Sequence, residues 1–231
     1  NELSGILKAK VNTSFDMNAI ETNAYDRIKA SGNANITDFI FTSDAMNHPF
    51  HISKAYMTFN PSTVTLNTFN AKTGKSDIAA NGTITNLIGF MLSKKVDLKG
   101  NFNVNSNTFA LNDFMSDDTE ASTNSSENKS ASKKEAVKIP AFLDCTVNAT
   151  AANVLYDNLN LKNVKGTLTI KDQQATIQNL TTDLFDGKLA LSGNVNTQTD
   201  LPTFSMNLNA SAFDIAQSFN GLELLQNIAP I

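Results

Sequence analysis

Apolar and polar residues alternate with a period of two along most of the chain, the signature of strands with one apolar and one solvated side. Val64 and Leu66 alternate with threonines. Ile78, Ala80, Gly82 and Ile84 share one side, with Ala79, Asn81 and Thr83 on the other. Leu98, Gly100, Phe102 and Val104 alternate with Lys99, Asn101 and Asn103. The same pattern returns in Leu189, Leu191, Gly193 and Val195, and in Phe204, Met206 and Leu208. The spacing predicts strands near 29–42, 51–59, 62–72, 75–86 and 95–106, and again near 143–154, 159–171, 174–185, 188–197 and 202–212. Asn60-Pro61-Ser62, Lys171-Asp172-Gln173 and Asp186-Gly187 supply the turn chemistry between consecutive strands.

The two sets of strands resemble each other at an offset of 111 residues. The run from Tyr56 to Phe69 matches the run from Thr167 to Leu180 in its apolar positions. Both copies break parity at one place: Val64 and Leu66 give way to Phe69, and Ala175 and Ile177 give way to Leu180. A β-bulge in each explains the switch, and a shared irregularity is better evidence of repetition than shared hydrophobicity. Between the copies lies a stretch of serines, small residues and mixed charges with no large apolar residue before Val137, read as a disordered linker or long loop. The expected organisation is the end of a preceding repeat over 1–28, a first β unit over 29–115, the linker over 116–138 and a second β unit over 139–231. The expected fold is all-β: repeated units of about five antiparallel strands plus a short helical crossing, near 109–115 and 213–219, forming a curved sheet, half-barrel or groove. Residues 7–17 match the last strand and crossing of a unit, so further repeats are expected before residue 1.

Composition narrows the function. Charged residues make up only 17% of the 231 and the net charge is −4, so no basic field exists to hold a nucleic-acid backbone. Abundant Asn and Thr suit the wet side of a sheet. The single cysteine, Cys145, cannot form an internal disulfide, and no Cys/His spacing offers a metal site. No run of about 18 apolar residues predicts a membrane-spanning helix, and no signal peptide is recognisable. With Asn-Glu-Leu at its start, the chain is expected to be cut from something longer or to have lost a targeting segment.

Motifs that suggest catalysis do not hold together. Gly74-Lys75-Ser76 resembles the end of a phosphate-binding loop, but Phe69 stands where that loop needs glycine, and Ser76 leads into a strand rather than a helix. Ser126-Lys129 and Ser130-Lys133 have serine-hydrolase spacing but lie in the low-complexity linker, where no nucleophile is preorganised. His48 and His51 flank Pro49-Phe50 at a loop-to-strand junction without further partners, and Asp117-Asp118 reads as a solvated start to the linker. The chain is therefore expected not to be an enzyme and to need no cofactor or metal.

The remaining candidate is the apolar face, carried by Met57, Phe59, Leu66, Ile84, Phe102, Val104, Leu168, Ile170, Leu191, Val195, Phe204, Met206 and Leu208. A closed core and an open surface for acyl chains both satisfy the pattern; repetition favours the second, because repeats extend a surface lengthwise.

Three segments of the second half carry a family resemblance: residues 158–170 (NLNLKNVKGTLTI), 184–195 (LFDGKLALSGNV) and 204–215 (FSMNLNASAFDI). Together they resemble the C-terminal region of AsmA-like proteins of Gram-negative bacteria. Through the internal repeat, the resemblance extends more loosely over residues 1–115. It implies a periplasmic segment of a protein tethered to the inner membrane by an N-terminal helix that this chain lacks, and related to repeating β-groove lipid-transfer proteins. It implies support of outer-membrane biogenesis by binding or guiding phospholipid or other lipid acyl chains, with envelope proteins as further partners and no catalytic residues. The alternative is a scaffold with a closed core that assists outer-membrane protein assembly.

Overall fold

The computed structural model describes residues 2–14, 16–22, 24, 27, 29–43, 47–87, 90, 97–114, 138–199 and 201–221. The chain is all-β. Its strands are β1 (Glu2–Ser14), β2 (Lys29–Thr42), β3 (Phe50–Phe59), β4 (Thr63–Thr73), β5 (Ser76–Thr85), β6 (Leu98–Ala110), β7 (Leu143–Tyr156), β8 (Leu159–Lys171), β9 (Gln174–Leu184), β10 (Gly187–Asn196) and β11 (Thr203–Ser211). Helix is confined, among the described residues, to short pieces that include α1 (Met17–Glu21), a 3-10 turn (Leu111–Phe114) and α2 (Ile215–Gly221). None is long and apolar enough to cross a membrane.

Among the described residues, all eleven strands form one sheet in which spatial order equals sequence order. Each strand pairs with its predecessor and successor, and β1 and β11 do not meet. The sheet is therefore open, and about 50 Å wide at the usual strand spacing of ~4.8 Å. A twisted sheet of this width curls, and bulges help it do so. β4 gains one residue against β5 between Leu66 and Phe69, and β9 gains one against β10 in the span facing Leu191 and Gly193. These are the two places where the apolar pattern changes parity. Asn179 sits in the second bulge at a φ of 51°, in the left-handed region that asparagine tolerates.

One junction departs from antiparallel pairing. β6 and β7 run parallel, from Leu98 beside Leu143 to Ala110 beside Leu155. A parallel neighbour must be entered from the same end, so β7 begins at Leu143 beside Leu98, where β6 began, and not beside Ala110, where β6 ends. Of the linker expected over 116–138, with Asp117, Asp118 and the two Ser-x-x-Lys sequences, all but Lys138 lie outside the described residues. The N-terminal strand behaves differently from its expected counterpart. β1 runs antiparallel to β2, Ser14 beside Lys29, so residues 15–28 close a hairpin where β6 to β7 is a return crossing. β6 also runs past its expected end, taking in residues 107–110 before the 3-10 turn.

Candidate functional site: the apolar face

Residues directly opposite one another in a sheet point to the same side, so the register traces each face from edge to edge. One row reads Val11, Gly32, Phe59, Val64, Ile84, Gly100, Cys145, Ile170, Ala175, Val195, Phe204. The next reads Ala9, Ala34, Met57, Leu66, Gly82, Phe102, Val147, Leu168, Ile177, Gly193, Met206. A third runs Leu7, Ile36, Ala55, Phe69, Ala80, Val104, Ala149, Gly166. It resumes beyond the β8–β9 bulge at Leu180, against which Gly166 packs, and ends in Leu191 and Leu208. Three rows thus cross eleven strands without a charged side chain, their most polar member being the Cys145 thiol. All thirteen residues singled out in the sequence lie in them.

The opposite face is mainly polar. Its central row is Lys10, Asn33, Thr58, Thr65, Thr83, Asn101, Thr146, Thr169, Thr176, Asn194, Ser205. Side chains there bond strand to strand. The Asn103 amide donates to Asn81 Oδ1 at 3.2 Å, the Asn148 amide to Asn103 Oδ1 at 3.4 Å, and the Thr167 hydroxyl to Asn148 Oδ1 at 3.0 Å. This ladder crosses the parallel seam, where carboxamides satisfy one another without introducing charge.

No second layer covers the apolar face among the described residues. The buried apolar residues there are Ala55, Ala71, Ala110 and Leu184. Apart from Val195, which is exposed, the larger side chains of the three rows on the inner strands are half-buried, sheltered by their neighbours across the curled sheet. Towards the edges the shelter ends: Leu7 is 67% exposed and Phe204 81%. Rings floor the first half. Phe59 lies over Gly32, and Phe102 lies beside both Gly82 and Gly100, where a side chain on either glycine would meet it. The Cys145 thiol is held above its ordinary pKa, first by burial and then by the neighbouring Asp144 carboxylate, so it contributes to the face as a small neutral group.

The polar motifs resolve into structure at one end of the sheet. Gly74 and Lys75 form the β4–β5 turn. Asp113, almost fully buried, accepts on Oδ2 from the Lys75 and Ser76 N–H groups, both at 2.9 Å, and from the Ser76 hydroxyl at 2.6 Å. His48 Nε2 stands 3.7 Å from the other oxygen of Asp113, and His51 Nε2 stands 3.6 Å from Asp38. A serine, a histidine and an aspartate are together here, but not as a nucleophile and its base. Ser76 is 1% exposed, and its hydroxyl is already engaged by Asp113 and by the Ala110 N–H at 2.9 Å. A hollow of about 380 Å³ opens beside this corner, lined by His48, Lys75, Asp113, Asp157 and Asn160 among others. Sequence reasoning did not find Asp113; nothing local marks a residue whose partners lie 37 and 38 positions away.

No family model, curated protein or solved structure matches the chain.

Proposed function

We propose that this chain is the periplasmic part of an AsmA-like envelope protein, tethered to the inner membrane in its parent, that supports outer-membrane biogenesis by binding lipid acyl chains along an apolar β groove. The observation that carries this reading is the set of three apolar rows crossing eleven strands with no covering layer among the described residues. An exposed apolar surface of this extent marks a binding site in a soluble setting, and each methylene buried on it contributes about 0.8 kcal/mol without directional demands. The rows contain no group that would hold a charged headgroup, so the acyl chain is the recognised part.

The sheet is read as two five-stranded units, β2–β6 and β7–β11, each followed by a short helical crossing. The bulges at Leu66/Phe69 and at the equivalent Ile177/Leu180 support that division. The competing scaffold reading requires a filled interior, and the described residues supply no layer to fill it.

The test is native mass spectrometry of the purified chain, with lipid extraction, on wild type and on Leu168→Asp, which places a charge in the middle of the second row. Co-purifying phospholipid in the wild type, reduced at least severalfold in a variant with unchanged circular dichroism, is the expected result. Lipid-free wild-type protein, or a variant that unfolds outright, defeats the groove.

A further inference from the structure

The two edges of the sheet are chemically unlike. β1 is guarded: its pairing to β2 breaks register between Ser4 and Ile6, Gly5 takes a φ of 136° there, and Lys8 and Lys10 project from its polar side. Bulges and lysines are what natural sheets place on edges to discourage pairing. β11 has none of this. Its nine residues, TFSMNLNAS, contain no charge, no proline and no register break against β10, and every one is exposed. No strand covers its outer edge among the described residues. An unguarded edge presents a free row of N–H and C=O groups to another strand.

We infer that β11 is a self-pairing edge, which joins two copies of this chain as a two-fold antiparallel dimer centred on Asn207. The strand complements itself. In the register that places Asn207 opposite its own copy, all nine residues find a partner: Thr203 faces Ser211, Phe204 faces Ala210, Ser205 faces Asn209 and Met206 faces Leu208. Large apolar side chains meet small or flexible ones, polar residues meet uncharged polar residues, and the apolar faces of both copies come to the same side. Cross-strand matching of this kind is what stabilises a sheet, and a two-fold arrangement closes on itself rather than propagating. β1 paired with itself would bring lysines together instead. The contact is one strand wide, which places the dimer in the weak, concentration-dependent class.

The alternative partner for β11 is the β1 edge of a second copy. The apolar rows continue across that junction with Phe204 beside Val11, Met206 beside Ala9 and Leu208 beside Leu7. That register puts Asn207 beside Lys8 and propagates into open polymers. One position separates the two. Asn207→Asp sets carboxylates against each other in the two-fold dimer, but sets a carboxylate against a lysine in the head-to-tail stack. The experiment is sedimentation velocity of the full chain over a wide concentration range, for wild type, Asn207→Asp, Asn207→Lys and an equal mixture of the two variants. The side chain of Asn207 is exposed, so circular dichroism confirms that each variant folds. The expected result is a wild-type dimer, dimerisation weakened about fivefold in each variant alone, and recovery in the mixture. A monomeric wild type overturns the proposal, as does strengthened association of Asn207→Asp alone, or polymers larger than a dimer.

Discussion

The two halves of the sheet solve the same corner in different ways. At an offset of 111 residues, Ser76 at the start of β5 corresponds to Gly187 at the start of β10. In each half the segment following the last strand folds back over that corner. In the first half it delivers a carboxylate: Asp113 gathers two backbone N–H groups and the Ser76 hydroxyl on one buried oxygen. In the second half it delivers backbone and a ring. Asp214 donates its N–H to the Phe185 carbonyl at 2.8 Å, the Ser211 carbonyl and the Phe213 ring press on Gly187, and Phe213 meets Phe185 edge-on at 5.6 Å. The Asp214 carboxylate turns away to accept from the Gln217 N–H at 2.7 Å, capping α2. One corner is locked by electrostatics and the other by close packing, so apolar periodicity alone does not dictate how a turn is held.

The largest expected effect breaks the first corner. Asp113→Ala takes the shared acceptor from the buried Ser76 N–H and hydroxyl and from the part-buried Lys75 N–H, and is expected to cost about 3 kcal/mol. Asp214→Ala removes only a helix cap, at about 1 kcal/mol. Urea unfolding of the two variants side by side checks the contrast, and equal losses would show that Asp113 is not the lock. The next effect transplants chemistry between corners. Gly187→Ser imports the residue of the first half without its carboxylate, into a position where even a Cβ crowds the Ser211 carbonyl and the Phe213 ring. Overpacking of this kind costs roughly 2 kcal/mol, read as a lower urea midpoint; no change in the midpoint would show that the second corner has room.

The smallest effect concerns acid. Asp77 on β5 corresponds to Lys188 on β10. Burial by itself would raise the Asp77 carboxyl, but the N–H groups of Thr108 and Asn107 and the Asn107 amide outweigh it and hold the group below its ordinary value. On the other half, Asp183 is lowered first by its bond to Lys188 and then by Asn163. A carboxyl depressed in the fold stabilises it fully above the unfolded pKa of about 3.9, and that stabilisation is lost as pH falls through the lower folded value. Asp77→Asn is therefore expected to leave a shallower loss of stability below about pH 4 than wild type shows, measured by urea midpoints across the acid range. An unchanged acid slope would remove Asp77 from the account.

Much of this architecture was legible in the chain. Ten strands fall within a few residues of where alternation puts them, because a side chain on a pleated strand has only two directions to point and each must suit its surroundings. The parity switches at Phe69 and Leu180 announced both bulges for the same reason. The thirteen apolar candidates share a face because their strands pair in step, and the outer Asn and Thr residues share the other. The parallel seam between β6 and β7, the hairpin between β1 and β2 and the Asp113 lock were not legible. Each is decided by which distant segments meet, and no local preference encodes that meeting.

Strand, turn and face were determined by the sequence on its own, since they follow from the geometry of neighbouring residues and their affinity for water. Whether the apolar face closes into a core or stays open was a matter for tertiary structure alone. The same alternation satisfies either outcome, and the difference lies in whether the first and last strands come within hydrogen-bonding distance. Here they do not, and no second layer covers the apolar face among the described residues.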